Sequence, residues 1–331
     1  MTLIVAAVTG KWAFHASDRF VSVKPTPANP TGEYDPHSNK TVVVVGTDCW
    51  VVLGYTGLAF LDGKPTDRVI AEAISGYDEL APAMMTFWQP SPDLHYREIR
   101  RRVEEKLKDA YSRLPALEKK LTTVVLASGV QRKDNKVTKV MFRMIIVGDT
   151  ATSVEMRPDT QQFNSFYIDA VGMVSKPIID RAKARLTAVN CPADEVPEQV
   201  RDILRDAVLE TSAITDKVGD NVMTVVLDNP ERTIRTGLFI SDRKRQAELF
   251  EKARKEHPDL LDQFSERLTV STPYVLAPGG IWGPSIGDPS GWSMMNNEIN
   301  FDYTGFEDQP RKSVGPEGVF FGVQPRRDRP S

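Results

Sequence analysis

Thr2-Leu3-Ile4-Val5-Ala6-Ala7-Val8-Thr9-Gly10-Lys11-Trp12-Ala13-Phe14-His15-Ala16-Ser17-Asp18-Arg19 is the stretch whose reading decides the fold. The run from Thr2 to Val8 is β-branched and apolar, Thr9-Gly10-Lys11 is a turn signal, and Trp12 to Ser17 carries aromatic and small residues. A β-hairpin is expected. Asp18 closes its second strand and so returns towards Thr2, where the first strand begins. Strand alternation puts His15 on the face opposite Phe14 and Ala16, as a packed or rim histidine.

Outward from the hairpin, Phe20 to Val23 continues extended, and Pro25, Pro27, Pro30, Gly32 and Pro36 make a surface loop ending near Asn39. Lys40 to Val45 and Cys49 to Leu53 are strands joined by Gly46-Thr47-Asp48, with Gly54-Tyr55-Thr56-Gly57 after them. Thr66 is read as the N-cap of a helix carrying Val69, Ile70, Ala73 and Ile74 on one face, with Gly76 as its stop. A longer helix from about His95 repeats Ile99, Val103, Leu107, Ala110 and Leu114. Strands return at Leu121 to Ala127, Lys139 to Val147 and Thr152 to Met156, with Gln131 to Lys136 as a hairpin loop. Helices at Lys176 to Ala188 and Val196 to Thr211 precede a strand at Asn221 to Leu227. The order of strands, two helices, strands, two helices and strand, with hairpin-length loops, predicts mainly antiparallel sheets packed face to face with helices on both outsides.

Beyond about Pro230 one or two helices are expected between Asp242 and Leu268, broken at His257-Pro258. A Gly/Pro-rich tail follows from Ser271. Its aromatics argue against simple disorder and for a segment that wraps the domain or a neighbouring subunit. With 331 residues the chain has room for about two domains of ~150 residues, or one sheet-rich domain of ~200–250 with an appendage. The division drawn is residues 2–228 and an extension, 229–331.

Composition excludes several functions. Lys plus Arg 42 against Asp plus Glu 45 leaves a formal charge of −3, with no basic excess for nucleic acid or an anionic membrane. Cys49 and Cys191 form neither a disulfide framework nor a CxxC pair, and His15, His37, His95 and His257 never fall at a metal-ligand spacing. No metal or other cofactor is expected. No apolar run approaches ~18 residues, and no basic region precedes the Leu3 to Val8 stretch, which argues against a membrane span or signal peptide and for the cytoplasm. Asp67 with Glu72, and Glu104 with Glu105, are read as solvated helix faces. Gly279 to Pro284 lacks the strand-then-helix setting of a phosphate loop and is read as turns.

The chemistry-bearing residue is Thr2. Removal of Met1, usual ahead of a small residue, leaves an N-terminal threonine carrying a hydroxyl nucleophile and an α-amine whose pKa of ~7.7–8.0 leaves a useful neutral fraction as base. Asp18 can orient a buried lysine, and Lys40, opening the next strand pair, is the candidate for it.

Thr2 at the head of a strand, Asp18 sixteen residues later within Ala16-Ser17-Asp18-Arg19, and Lys40 at the next strand pair resemble the proteasome-type N-terminal nucleophile (Ntn) hydrolases, which include proteasome β subunits and HslV-like peptidases. The resemblance covers roughly residues 2 to 228. It implies an α+β fold, the αββα four-layer sandwich, with Thr2, Asp18, Lys40 and the backbone N–H of Gly57 as catalytic groups and the last as oxyanion donor. Arg19 lies in the matching motif. The long loop before Lys40 departs from the pattern, and Lys24 is the substitute. Gly172-Met173-Val174-Ser175 resembles a Gly-Ser-Gly turn in which Met173 replaces the supporting serine unless Ser175 takes its role. Thr215-Asp216-Lys217-Val218-Gly219-Asp220 resembles a segment from which the serine is missing and in which Asp216 is displaced by one.

Three functions are compatible with these residues: a threonine hydrolase cutting amide, by resemblance peptide, bonds through an acyl-enzyme; a degenerate scaffold or interaction protein; and a small-amide amidase. The resemblance further implies a homo-oligomeric ring or stacked assembly, with any unfoldase partner unidentified and neither nucleic acid nor membrane as partner.

Overall fold

Leu3–Val8 (β1) and Trp12–Asp18 (β2) pair antiparallel, with Ile4 opposite Ser17 and Val8 opposite Ala13, in the computed structural model. Thr9 closes the turn, its hydroxyl accepting the backbone N–H groups of Lys11 and Trp12. The structure describes residues 2–22, 33–35, 38–80, 86–133, 136–156, 165–229, 233–239, 270–271, 273–283, 286–287, 294–295 and 298–304. Met1, Lys24, the one or two helices expected between Asp242 and Leu268, and the tail beyond 304 lie outside them.

Along the chain follow Thr41–Val45 (β3), Cys49–Thr56 (β4), Thr66–Ser75 (α1), Tyr96–Arg113 (α2), Thr123–Lys133 (β5), Lys136–Val147 (β6), Thr150–Met156 (β7) and Tyr167–Gly172 (β8). Then come Lys176–Thr187 (α3), Val196–Ser212 (α4), Val222–Asp228 (β9), Thr233–Phe239 (β10), Tyr274–Ala277 (β11), Gly280–Trp282 (β12) and Glu298–Thr304 (β13). One seven-stranded sheet has the order β8-β1-β2-β9-β10-β13, completed by Met294–Met295. The other, also seven-stranded, runs β7-β6-β5-β4-β3-β11-β12. Their pairings are antiparallel except for β11, which lies parallel to β3.

β1 and β3 are apolar at nearly every position because both faces of each strand are buried, so their residues divide between two cores. Leu3, Val5 and Ala7 join Phe14 and Ala16 under α3 and α4, against Ile178, Ile203 and Leu204. Ile4, Ala6 and Val8 turn the other way, into a cluster shared with Val43, Val52, Leu126 and Val225 from both sheets. Val42, Val44 and Leu53 of the second sheet pack with Ile70, Ile99 and Leu107 of α1 and α2.

The elements differ from the sequence reading in four places. The β5–β6 hairpin runs through Gln131 to Lys133, because cross-strand pairing from Lys133–Lys136 to Val130–Lys139 satisfies a backbone whose side chains look loop-like. β8 carries Asp169 within a strand, where Arg143 pairs with it at 2.7 Å. Pro65, not Thr66, occupies the cap of α1, and the Thr66 hydroxyl donates instead to Leu58 O at 2.8 Å. Both sheets also continue past residue 228: β10 and β13 extend one, β11 and β12 the other, and the side chains of Tyr274, Val275, Leu276 and Ala277 are buried. Short strands of this kind are invisible to periodicity and are held by partners far away in sequence.

Asp67 and Glu72 require a correction. Neither is solvated: both are buried, Asp67 on the Asn39 amide and Glu72 between Lys64 and Arg68. An amphipathic pattern records which residues are apolar, and cannot show that a polar partner arrives from elsewhere to satisfy a buried carboxylate. The Gly279 turn is present, but Gly280 already begins β12.

Candidate functional site

The register that pairs Ile4 with Ser17 sets Leu3 opposite Asp18, and the Leu3 N–H donates to Asp18 Oδ1 at 2.9 Å. Asp18 is fully buried, and such a carboxylate persists only where donors surround it. Its Oδ2 accepts the N–H of Phe20 at 3.1 Å, the N–H of Gly219 at 3.2 Å and the Lys40 ammonium at 3.2 Å. Lys40 stands directly before β3, its side chain only 2% exposed. The same ammonium donates to Thr2 Oγ1 at 2.6 Å and to Phe20 O at 2.5 Å. The ammonium thus links hydroxyl and carboxylate, the three groups being drawn from the starts of β1 and β3 and the end of β2.

Thr2 is fixed through its own backbone. Its carbonyl accepts the Met173 N–H at 2.9 Å and, at 3.4 Å, the Thr56 hydroxyl. Gly172 makes this approach feasible: its φ is +94°, and a Cβ there would lie 1.8 Å from Thr2 O. Gly172→Ala is therefore expected to push Thr2 away from Lys40 and to cost about 1–3 kcal/mol from backbone strain alone, read by denaturant unfolding.

Gly57 follows Thr56 at the end of β4, is exposed, and has φ +115°; a Cβ would meet Thr122 O at 2.2 Å. The next residue is held on both sides, the Leu58 N–H donating to Thr123 Oγ1 at 3.2 Å and Leu58 O accepting from Thr66. The Tyr111 hydroxyl donates to the same Thr123 oxygen at 2.6 Å. Arg19, fully buried, ties the site to its neighbours: its N–H donates to Asn221 O at 3.0 Å, and its carbonyl accepts from Ser38, two residues before Lys40. Ser175 lies at the start of α3, with its carbonyl accepting the Ile179 N–H. Asp216 is exposed, and its segment meets Asp18 through the Gly219 backbone instead.

The sequence reading missed Gly219, Phe20 and the N–H of Met173, which act through backbone atoms and carry no side-chain signature. It also missed Asn39, which donates to Asp67 at 2.5 Å and exchanges two hydrogen bonds with Thr41. His15 is packed between the sheets, not at a rim: it is 1% exposed and so close to Gly54 that a Cβ there would fall 2.2 Å from the ring. Burial lowers its pKa to about 3, and neither ring nitrogen has a hydrogen-bond partner among the described residues.

Cys49 is buried, and desolvation followed by the nearby Asp48 raises its thiol pKa well above the usual range, the reverse of what a nucleophilic thiol needs. Among the described residues no group of three or more His, Cys, Asp or Glu is placed to hold a metal ion, and no helix is long and apolar enough to cross a membrane.

Among the described residues the chain is thus a mixed α/β protein with two seven-stranded sheets, smaller two-stranded ribbons, four α-helices and a buried Thr-Lys-Asp constellation at the start of its first strand. No family model matches the sequence. No curated protein matches it either. Among solved structures it is similar to eukaryotic HslV from Trypanosoma brucei, with 14% identity and a TM-score of 0.38, over 68% of this chain and 99% of that one.

Proposed function

We propose that the chain is a threonine-type Ntn hydrolase that cleaves amide bonds, with peptides as the first substrate class to test. One observation carries the reading: the Lys40 ammonium lies 2.6 Å from Thr2 Oγ1 and is also bonded to buried Asp18. A cation beside a hydroxyl favours the alkoxide, and the carboxylate keeps that cation charged and aimed. The three apolar clusters, in the same reading, are the seams of an αββα four-layer sandwich, and copies of the chain assemble as a ring in the cytoplasm.

The chemistry needs the α-amine of Thr2 to be free, so whatever precedes Thr2 must be removed first. The amine then accepts the hydroxyl proton while Oγ1 attacks the substrate carbonyl carbon. The negative charge gathers on the carbonyl oxygen, opposite the N–H of Gly57. Collapse of this intermediate breaks the C–N bond, the α-ammonium returns its proton to the departing amine, and an ester on Thr2 remains. Water, deprotonated by the same amine, hydrolyses the ester and restores Thr2.

Intact mass before and after treatment with a β-lactone or epoxyketone tests the proposal, with Thr2→Ala as control. A chain beginning at Thr2 that gains one adduct, absent from the variant, is the expected result. Screening short peptides against small amides then separates peptidase from amidase. The absence of a serine at Met173 favours a second reading, a scaffold that keeps the fold alone, and a chain beginning at Thr2 that never labels would establish it.

A further inference from the structure

Asn39 and Asp67 take no part in the contacts among Thr2, Lys40 and Asp18, yet both are buried and joined to each other beside that site. The Asn39 side chain spans the residue that follows it. Its Oδ1 accepts the Thr41 N–H at 3.1 Å, and its Nδ2 donates to Thr41 O at 3.0 Å, with Lys40 as the residue enclosed. The same Nδ2 donates to Asp67 Oδ2 at 2.5 Å, and the Lys40 carbonyl accepts the Tyr55 N–H at 3.1 Å. The root of the lysine is therefore gripped from α1 and β4 before its flexible stem crosses to Thr2.

We propose that Asn39 and Asp67 are a positioning pair that fixes where the Lys40 ammonium meets the Thr2 hydroxyl. The chemical consequence rests on the hydrolase reading above; the positioning itself does not. An apolar pair would join α1 to β3 without burying a carboxylate, so what the charged acceptor adds is direction: it fixes which end of the Asn39 amide donates. Asp67 is held in turn by the backbone N–H groups of Asp67 and Arg68 in the first turn of α1, the helix end that favours an anion. Burial raises its carboxyl pKa to about 6, with the Asn39 hydrogen bond opposing the rise. A four-carbon stem loses its geometry if its root turns, and misplacement by ~1 Å costs on the order of 10²-fold in rate.

Two rates test this in the full-length chain: β-lactone modification of Thr2, and acetylation of the Lys40 amine by an activated ester, located by peptide mass. The variants are Asn39→Ala, Asp67→Ala, the double variant, and Asp67→Asn, whose amide oxygen can still accept. Leu186→Ala, on the buried face of α3 and distant in sequence, controls for destabilisation. In both alanine variants Thr2 modification is expected to slow about 100-fold and Lys40 to lose its protection. The double variant should be no slower than the worse single one, with Asp67→Asn close to wild type. Asn39→Ser, which cannot span the Thr41 and Asp67 groups together, gives the same readout with a smaller packing loss should the alanine variants not fold. Lys40 protection unchanged in the folded variants, or an equal loss in Leu186→Ala at matched stability, overturns the proposal. If wild-type Thr2 never labels while Lys40 protection still collapses in the variants, the positioning stands and the hydrolase reading falls. If wild type labels and the variants label as fast, the reverse holds.

Discussion

Asp18→Ala is expected to silence Thr2 and to cost about 3–5 kcal/mol of stability, the range for breaking one partner out of a buried ion pair. Asp18 is the common acceptor for three backbone N–H groups, from Leu3, Phe20 and Gly219, and for the Lys40 ammonium. Removing the carboxylate leaves those buried donors without their acceptor, and takes from the Lys40 ammonium the carboxylate that faces it. Lys40→Met removes only one of the four donors, so it should abolish Thr2 reactivity at a smaller cost in stability. The double variant separates the two effects: without the buried ammonium it should recover part of the stability lost in Asp18→Ala while remaining unreactive. Denaturant unfolding with β-lactone labelling of each variant checks this, and a double variant less stable than Asp18→Ala alone would show that the Lys40 ammonium does not destabilise that background.

The acid limb of the stability curve should reveal two buried groups acting in opposite senses. His15 is neutral in the folded chain, with its pKa lowered from 6.5 to about 3 by burial, so the unfolded chain binds its proton first as pH falls. Its contribution is fully present above pH 6.5 and is lost towards pH 3, at about 1.4 kcal/mol per unit and about 4–5 kcal/mol in all. Ala6 and Val225, its cross-strand neighbours, and Gly54 across the gap provide no counter-charge. Asp67 runs the other way. Its carboxyl, raised from 3.8 to about 6 by burial, holds its proton more tightly when folded, so stability grows as pH falls through 6 to 3.8. Asn39 and Arg68 act on it, and Tyr274 shows its influence through a phenol pKa raised first by burial and then by Asp67.

Between pH 6 and about 4 the two contributions therefore offset each other in the wild-type chain. His15→Leu should become more stable, relative to wild type, as the pH falls across this window, and Asp67→Asn less stable. Denaturant midpoints at half-unit steps measure both differences. A His15→Leu curve parallel to wild type would mean that the histidine is not held neutral in the fold.

The two differ in how visible they are in sequence. The hairpin periodicity turns His15 away from Phe14 and Ala16, but whether that inward face meets solvent or a second sheet depends on β4 and β5, over thirty residues away. Asp67 reads as an ordinary first-turn acid on an amphipathic helix. Its burial depends on Asn39, which sits on another element, and no local pattern of α1 carries that information.

Local sequence determined the first hairpin, the β3–β4 pair, the four described helices and hence the meeting of Leu3 with Asp18, because an alternating or helical apolar pattern, a turn residue and a strand register act over a few residues. A two-strand register that sets Leu3 against Asp18 follows from the length of the turn alone. Tertiary structure decided the rest: that β10, β11, β12 and β13 join the two sheets, that backbone groups of Phe20, Met173 and Gly219 complete the site, and that Asn39 and Asp67 meet. A backbone N–H looks the same at every residue, and a short strand or a buried carboxylate is stable only through partners brought by distant segments, so neither leaves a local mark in the chain.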